Sequence, residues 1–559
     1  MINLGVPSVL GALKMFIRKK RNKSGILSVQ VIDKSSGKYK VLKTIGSSSN
    51  LFELERLEQI AFAWVRNYTG TLEFDFQNEQ QIFEQFTNGI QSIDVVGPEL
   101  LLGSIFNEIG FNAISDFIFR QLVIARLCFP VSKLKTTDYL VKYNSISLDI
   151  DSVYRYLDKL YNTQKEQVQQ ISYDHTLKVL NNNISIVFYD VTTLYFEAEQ
   201  EDELRKTGFS KDGKHQHPQI VLGLLVSVEG YPLAYDIFEG NKFEGHTMLP
   251  VVDGFKSKYK LTKLVVVADS GLMSAENIDE LQSKGYKYIL GARIKNQKQN
   301  IEEKILALSL KNGESAMVQK DEHSKIIISY SDKRAQKDKH NRQRGLQKLE
   351  KQIRSGKLTK SNINNKGYNK FLKLEGEVQI SIDTTKIEDA GKWDGLKGYI
   401  TNTDLTKDEI IENYGHLWKI EKAFRISKTD LQIRPIYHRL KRRIEAHICI
   451  AFVAYKIYKE LERQLKEKKS ELSPEKAIQI AKTIYAIKIT TPLNKILITK
   501  TLILTKEQET LKKNVQMGVI FWVSQCGKQE TLRLNVPQNE LVIGVPGYDT
   551  QNQLTIKNL

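Results

Sequence analysis

Two short apolar runs, each ending in an aspartate, limit the possible folds of this chain more than any other feature. Residues 184–190 read ISIVFYD and residues 264–269 read LVVVAD. Apolar runs of this length are typical of strands that are buried on both faces of a sheet. A helical pattern over residues 275–284 then leads to another strand-like run at 288–292. This alternation predicts an α/β domain with a largely parallel sheet.

The two aspartates, Asp190 and Asp269, are expected to lie close together, because parallel strands end at the same sheet edge, where open α/β folds bind ligands. A third acid follows the capping-box sequence of residues 406–409, which predicts the start of a helix. Steps of three, four and seven residues predict that one helical face carries Tyr414, Leu417, Glu421, Arg425 and Lys428. The alternatives are an amphipathic surface helix with internal ion pairs and strand-end aspartates that only cap helices or turns.

Three carboxylates at one place would repel each other unless cations lay between them. Hard oxygen ligands favour Mg²⁺, with Mn²⁺ as the alternative. Two such ions can activate a water or sugar hydroxyl on one side and stabilise the leaving oxygen on the other. The acids therefore predict in-line phosphoryl transfer at a site with two metal ions.

These motifs resemble the DDE transposases of bacterial insertion sequences, in the group with a Tyr-x2-Arg-x3-Glu-x6-Lys signature. The resemblance covers roughly residues 180–445. It implies three metal-binding acids and two further catalytic residues: Asp190, Asp269, Glu421, Tyr414 and Lys428. Leu417 stands where the signature has Arg, and we hypothesise that Arg425 supplies the missing cation.

The resemblance also implies an RNase H-like catalytic core, interrupted by an insertion between the second and third acids. We expect the insertion to be mainly β and not to continue the sheet, and the flanking regions to be mostly helical. Residues 1–95 are predicted to form a hairpin and helix region that contacts DNA, and residues 96–180 a helical region. The core is predicted at 181–295 and 396–432, on either side of the insertion at 296–395. Residues 433–559 are predicted to form a C-terminal helical region that could support dimerisation.

Several side chains are candidates for DNA binding. Helical patterns at 136–143 and 150–161 could form a helix-turn-helix, with Val153, Leu157 and Leu160 inward and Tyr156 facing out. Tryptophans could stack on an unpaired base, although core packing is the alternative. The candidates are Arg155, Lys159, Trp393, Trp418, Arg425, Arg434, His438 and Arg442.

The formal net charge of +18 favours a polyanionic partner. The three cysteines are far apart, and His215, His217 and His246 lack a zinc spacing, so neither a disulfide framework nor a zinc site is predicted. The longest apolar runs fall short of the ~20 residues that span a bilayer. These features, together with a start that lacks a leader pattern, predict a cytoplasmic, nucleoid-associated protein without a membrane segment.

The sequence therefore predicts a transposase that binds the inverted repeats at the ends of an insertion sequence, cleaves them and joins a 3′-hydroxyl to target DNA. Synapsis of two ends implies at least a homodimer. Two alternatives stay open: a metal-dependent nuclease or resolvase without strand transfer, and a non-catalytic DNA-binding repressor derived from a transposase.

Overall fold

The computed structural model describes residues 15–22, 25–69, 83–272, 274–358, 360–364, 366–375, 379–490, 496–515, 521–525, 541–542 and 555–556. Two units, Met1–Gly89 and Ile90–Leu559, divide the chain. The start of the chain, where no leader pattern was found, and Cys526 lie outside the described residues. The other two cysteines, Cys128 and Cys449, are free and buried.

The first unit is a three-stranded antiparallel sheet with a helix. Its strands are β1 (Met15–Arg21), β2 (Leu27–Asp33) and β3 (Lys40–Ser48), and its helix is α1 (Leu51–Thr69). Val29 and Val31 of β2 are fully buried against Leu54 and Ala61 of α1. The predicted hairpin is thus β2 and β3, but the basic segment before it is itself a strand, which pairs with β2 and packs Ile17 on the same small core.

The second unit contains the remaining strands. They are β4 (Ile90–Val95), β5 (Ile186–Tyr195), β6 (Gln219–Ser227), β7 (Pro232–Glu239), β8 (Val265–Ala268), β9 (Lys287–Ala292), β10 (Ser315–Gln319), β11 (Lys325–Tyr330), β12 (Leu372–Glu375), β13 (Gln379–Ile382), β14 (Leu396–Thr401), β15 (Tyr485–Thr490), β16 (Ile496–Leu502), β17 (Phe521–Gln525), β18 (Leu541–Val542) and β19 (Thr555–Ile556).

Helices of the second unit pack around these strands. They are α2 (Gly97–Ile109), α3 (Phe117–Cys128), α4 (Lys133–Asn144), α5 (Ile150–Lys159), α6 (Lys165–Val179), α7 (Met248–Lys258), α8 (Ala275–Ser283), α9 (Gln299–Leu306), α10 (Asp332–Arg354), α11 (Thr384–Gly391), α12 (Lys407–Gly415), α13 (Trp418–Thr429), α14 (Lys441–Glu467), α15 (Pro474–Ala481) and α16 (Lys506–Asn514). None of the helices in the described part of the chain is both long and apolar enough to span a membrane.

The central sheet has eight strands in the order β10-β11-β14-β9-β8-β5-β6-β7. Strands β5, β6 and β7 form an antiparallel meander, and β8 and β9 run parallel to β5. Successive residues of β5 point to opposite faces, so Val187 and Tyr189 join one apolar cluster and Phe188 joins the other. Helices cover both faces of this mixed sheet, which confirms the predicted α/β class and RNase H-like core.

Strand β5 does not end at Asp190, as the apolar run suggested. Its parallel pairing with β8 stops at Tyr189 and Ala268, but its antiparallel pairing with β6 continues to Tyr195 and Gln219. The longer partner on one side therefore extends β5 beyond the aspartate. Asp190 is the first residue of β5 that has no partner on β8. The edge of the sheet is therefore open on that side of Asp190.

The segment after β9 differs from the predicted insertion in two respects. Strands β10 and β11 continue the central sheet by pairing antiparallel next to β14. The segment also contains more helix than strand, because α10 alone spans 23 residues. Lys, Arg, Gln and Leu dominate α10 and favour helix, so the expectation of a mainly β insertion is wrong.

The described part of the C-terminal region contains a sheet as well as helices. Helix α14 is 27 residues long and packs on α3, α5 and β7. Beyond α15, the strands β15, β16 and β17 form a four-stranded antiparallel sheet with β4, in the order β17-β16-β15-β4. Helical residues still outnumber strand residues in the described part of this region, and the sheet is an addition that was not predicted from the sequence.

Candidate active site

Asp190 and Asp269 emerge side by side from two parallel strands. Each follows directly after a residue of the last β5–β8 pair, Tyr189 and Ala268. Asp190 is half-buried, and its carboxylate accepts a hydrogen bond of 2.8 Å from the Val191 N–H. Burial, reinforced by the negative charges of Glu244 and Asp269, raises the pKa of Asp190 to about 6. The sheet edge thus places two like charges near each other, as the sequence predicted.

Tyr414 holds the second aspartate. Its hydroxyl donates a hydrogen bond of 2.8 Å to Asp269 Oδ1, and its ring packs edge-on against Tyr399 at 4.8 Å. The phenol is 6% exposed, and burial together with the Asp269 charge raises its pKa, so it stays a donor. Gly291 of β9 makes room for it, because a Cβ there would lie 2.5 Å from the Tyr414 hydroxyl.

Glu421 lies in the first turn of α13, and the predicted single helix is in fact two helices. Helix α12 ends at Gly415, and α13 begins at Trp418. Between them the Leu417 N–H bonds to the Tyr414 carbonyl at 3.1 Å, which is a tighter turn than an α-helix makes. Glycine is a poor helix former, so Gly415 favours a break here. The spacing from Tyr414 to Lys428 therefore does not describe one helical stripe.

Leu417 packs into the core and is 8% exposed. A cation at this position could not reach the site without leaving apolar surroundings. Arg425, one turn beyond Glu421, is exposed and shares a concavity of about 570 Å³ with Trp418, Glu421 and Lys422. No acidic side chain in the described part of the chain forms an ion pair with Arg425. Its assignment as the replacement cation stays a prediction.

Lys397 of β14 belongs to the site but was missed in the sequence. Its ammonium lies 4.5 Å from the Tyr414 ring centroid and 5.2 Å from that of Tyr399. Burial, followed by the charge of Arg334, lowers the pKa of Lys397, while Asp269 and Glu421 oppose that change. Lys397 thus lies against the ring of Tyr414, whose hydroxyl bonds to Asp269. Residue spacing in the sequence could not reveal Lys397, because pairing with β9 is what brings β14 next to the strands that carry the aspartates.

Two consecutive residues between β5 and β6 also reach the site. Lys211 Nζ lies 3.8 Å from Asp190 and 3.1 Å from Glu244, and it donates a hydrogen bond of 2.8 Å to the Val191 carbonyl. Asp212 pairs with Lys428 at 3.2 Å and with Arg434. Each residue meets a predicted site residue of opposite charge. Their only sequence signal is an alternating pair of charges in a polar loop, which is too common to be informative.

The donor set suits a hard divalent cation, although the acids do not form a ready-made cluster. Among the described residues, no group of three His, Cys, Asp or Glu side chains is placed to hold a metal ion. Asp190 and Asp269 nevertheless present carboxylate oxygens from adjacent strands, and burial raises the pKa of the Asp190 carboxyl. Carboxylate oxygens are the ligands that Mg²⁺ and Mn²⁺ prefer.

The helix-turn-helix candidates occupy α4 and α5, and several of their side chains already have partners. Val153, Leu157 and Leu160 are buried as predicted. Tyr156 is 4% exposed and donates a hydrogen bond to Gln164, so its predicted outward orientation is wrong, because it packs toward α14. Lys159 pairs with Asp116 at 2.8 Å. Arg155 is largely exposed and bonds to Ser152 at 2.7 Å.

The other DNA-binding candidates have contrasting environments. Trp418 is 53% exposed, whereas Trp393 is 8% exposed, packs in an apolar cluster and is not presented for stacking. His438 is half-buried between the rings of Tyr154 and His447, and burial lowers its pKa to about 3. Arg442 pairs with Asp158 at 2.8 Å, so it is not an unpaired cation.

The RNase H-like sheet presents two aspartates from adjacent parallel strands, and Glu421 lies on the later helix α13. Residues 181–457, which include Asp190, Asp269 and Glu421, match the family model described as transposase DDE domain. Comparison with curated protein sequences gives no significant match.

Solved transposase structures are similar to parts of the chain. One is a piggyBac transposase synaptic complex with hairpin DNA, at 11% identity and a TM-score of 0.36, covering 69% of this chain and 76% of that chain. Another is a Mos1 transposase paired-end complex with left transposon end, at 9% identity and a TM-score of 0.14, covering 28% of this chain and 53% of that chain.

Proposed function

We propose that this protein is a transposase that cleaves the ends of an insertion sequence and joins them to target DNA. The observation that carries the proposal is the side-by-side emergence of Asp190 and Asp269 within the transposase DDE domain. Glu421 acts on the same site, because its charge and that of Asp269 both influence Lys397 and Tyr414. The net charge of +18 supports a nucleic acid as substrate.

Asp190, Asp269 and Glu421 would hold two divalent ions, Mg²⁺ or Mn²⁺. The ions would supply an activated hydroxyl and charge stabilisation for in-line displacement at phosphorus. Binding would require Lys211 to move away from Asp190, since its ammonium now lies where a cation is favoured. Tyr414 orients the Asp269 carboxylate through its hydrogen bond.

The phosphate next to the scissile bond would be held by cations on α13 and the segment after it. Lys428 and Arg434 converge on the Asp212 carboxylate, which shows that both can bind one anionic group. A phosphate offers the same charge and more acceptor oxygens. Arg425 and Trp418, in the concavity beside Glu421, would contact the neighbouring nucleotide.

The proposal is tested with the full-length protein, duplex DNA that carries the element end, and Mg²⁺. Asp190→Asn, Asp269→Asn and Glu421→Gln are each expected to abolish cleavage and leave DNA binding intact. Asp404→Asn is the matched control, because the Asp404 side chain is 97% exposed. Retained cleavage in one of the three variants removes that residue from the site, and retained cleavage in all three refutes the proposal.

The same assay separates the alternatives. Cleavage without joining of the 3′-end to target DNA would identify a nuclease or resolvase, and a DNA shift without cleavage would identify a repressor. Synapsis of two ends requires at least a homodimer. We therefore expect the complex with end DNA to contain two copies of the chain, which light scattering of that complex measures.

A further inference from the structure

A positively charged cleft lies beside the candidate active site, between the central sheet and α10. Its volume is about 590 Å³, and it begins at Ser270, the residue after Asp269. Six cationic side chains line it: Arg293, Lys295, Arg334, Arg342, Lys370 and Lys397. Among the residues that the structure describes, two acids, Asp338 and Asp394, are part of the same wall. The cleft therefore carries an excess of positive charge.

The acids of the cleft are already engaged. Asp394 forms a two-pronged pair with Arg342, at 2.5 and 2.7 Å, and Asp338 lies 3.6 Å from Arg334. These pairs leave Arg293, Lys295, Lys370 and Lys397 without an ion pair to any acidic side chain that the structure describes. An unpaired cation is ordinary on an open surface, but four around one concavity repel each other and attract an anion.

Lys295 is one of the unpaired cations, and it lies against an aromatic ring of the cleft wall. Its ammonium lies 6.0 Å from the Trp393 ring centroid, and its burial together with the charge of Lys370 lowers its pKa. Arg293 uses one N–H to bond the Ser270 carbonyl at 3.0 Å, which fixes the guanidinium at the mouth nearest Asp269. A bound anion would relieve the repulsion between Lys295 and Lys370.

We propose that this cleft binds the sugar-phosphate backbone of single-stranded DNA that leaves the active site. This inference rests on the proposed function, because it names a further part of the same substrate. A cleft of about 590 Å³ has room for roughly one or two nucleotides of a single strand, which is the scale of a site that follows one strand. Grooves lined by cations are typical of proteins that follow a single strand.

Continuity with the acids favours a nucleic acid over a free phosphate ion. Ser270 lines the cleft and directly follows Asp269, and Lys397 contacts the Tyr414 ring on the side of the acids. A strand whose scissile phosphate lies at Asp269 would therefore enter the cleft with its next phosphates. An isolated phosphate would neutralise only one or two of the four unpaired cations.

The test measures binding of a short labelled oligothymidylate and of a blunt duplex to the full-length protein over a range of salt concentrations. The variant carries Lys295→Gln and Lys370→Gln. The control carries Lys348→Gln and Lys351→Gln, which remove the same charge from exposed positions on α10 outside the cleft. We expect only the first variant to bind the single strand more weakly.

The salt dependence gives a second readout. Each lost phosphate contact makes the negative slope of log K against log salt shallower by about 0.7 for a single strand. The slope of the cleft variant, which loses two lysines, should therefore be shallower by about 1.4. An equal slope and affinity in cleft variant and control would overturn the proposal. Competition by inorganic phosphate as effective as that by the oligonucleotide would overturn it in favour of a simple anion site.

Crosslinking of the wild-type protein provides a test that does not depend on a variant. A photoreactive thymidine in the single strand should crosslink to the cleft walls, residues 293–297 and 367–371, and crosslinks confined to other segments would overturn the proposal. Wild-type protein that cleaves duplex ends but does not bind the single strand would overturn the proposed role of the cleft and leave the proposed function standing. Protein that neither binds nor cleaves DNA would overturn the proposed function as well.

Discussion

Lys428 and Asp212 form an ion pair of 3.2 Å within the candidate active site. Both side chains are largely buried, with 11% and 17% exposure. The aspartate also pairs with Arg434, so one carboxylate neutralises two cations that we propose to contact phosphate. Substrate DNA would have to displace Asp212 from both of them.

Asp212→Asn should strengthen DNA binding and weaken the fold. The amide keeps the shape but loses the charge, so Lys428 and Arg434 become available to phosphate. Loss of a charged hydrogen-bonding partner should cost about 1–3 kcal/mol of unfolding free energy. Fluorescence anisotropy and urea unfolding measure the two effects. Asp389→Asn, in an exposed pair with Lys392, is the control, and weaker DNA binding by the Asp212 variant would contradict this role.

Tyr414→Phe should reduce cleavage without reducing DNA affinity. The substitution removes the donor that orients Asp269, and loss of a group that orients a metal ligand typically costs about 10–100-fold in activity or metal affinity. Cleavage rates over a Mg²⁺ titration show whether the loss lies in metal binding. Tyr437→Phe is the control, since Tyr437 is 66% exposed. Equal rates for the wild type and the Tyr414 variant would rule out this orienting role.

Gly291→Ala should displace the Tyr414 hydroxyl. The added methyl would lie 2.5 Å from that oxygen and 3.0 Å from the Ser270 N–H nitrogen, so the ring or the strand must move. Overpacking of this kind costs about 1–3 kcal/mol. Thermal unfolding and cleavage are both expected to suffer. Gly254→Ala on α7 meets nothing within 4 Å and should be neutral or stabilising, so equal effects at the two glycines would contradict the prediction.

His438 should make the fold sensitive to acid. Burial lowers its pKa from 6.5 to about 3, so the unfolded chain takes up a proton that the folded protein refuses. The contribution of neutral His438 to the free energy of unfolding is therefore fully present above about pH 6.5 and is lost as the pH falls toward 3. His438→Gln should reduce the proton uptake on unfolding by about one at pH ~5.

The measurement is urea unfolding at neutral and at mildly acidic pH. His323→Gln is the control, because His323 is exposed. A half-buried neutral imidazole should also add nothing to the salt dependence of DNA binding. A steeper salt dependence in the wild type than in the His438 variant would show instead that His438 contacts phosphate.

The strands that carry the two aspartates could be predicted because burial on both faces demands apolar runs. Their ends could not, since the extent of β5 depends on the length of its partner β6. The helix break at Gly415 was missed because glycine is tolerated in many helices. The residue spacing predicted that Tyr414 and Glu421 share one helical face, whereas the structure places them on two successive helices.

Lys211, Asp212 and Lys397 were beyond prediction for a different reason. Each belongs to an element whose position is decided by distant pairing: a loop between antiparallel strands, or the strand β14 that returns beside β9. Charged residues at such places are abundant in any basic chain. Only the folded geometry distinguishes a lysine beside an aspartate from one in solvent.

The pairing of β4 with β15 has a consequence for how the protein is made. Gln91 of β4 bonds to Thr490 of β15, a separation of 399 residues along the chain. When β4 leaves the ribosome, its partner strand has not been translated, and its backbone hydrogen-bonding groups stay uncovered during most of synthesis. Nascent chains that stop before Tyr485 should therefore expose an open strand edge, the kind of surface that recruits chaperones or aggregates.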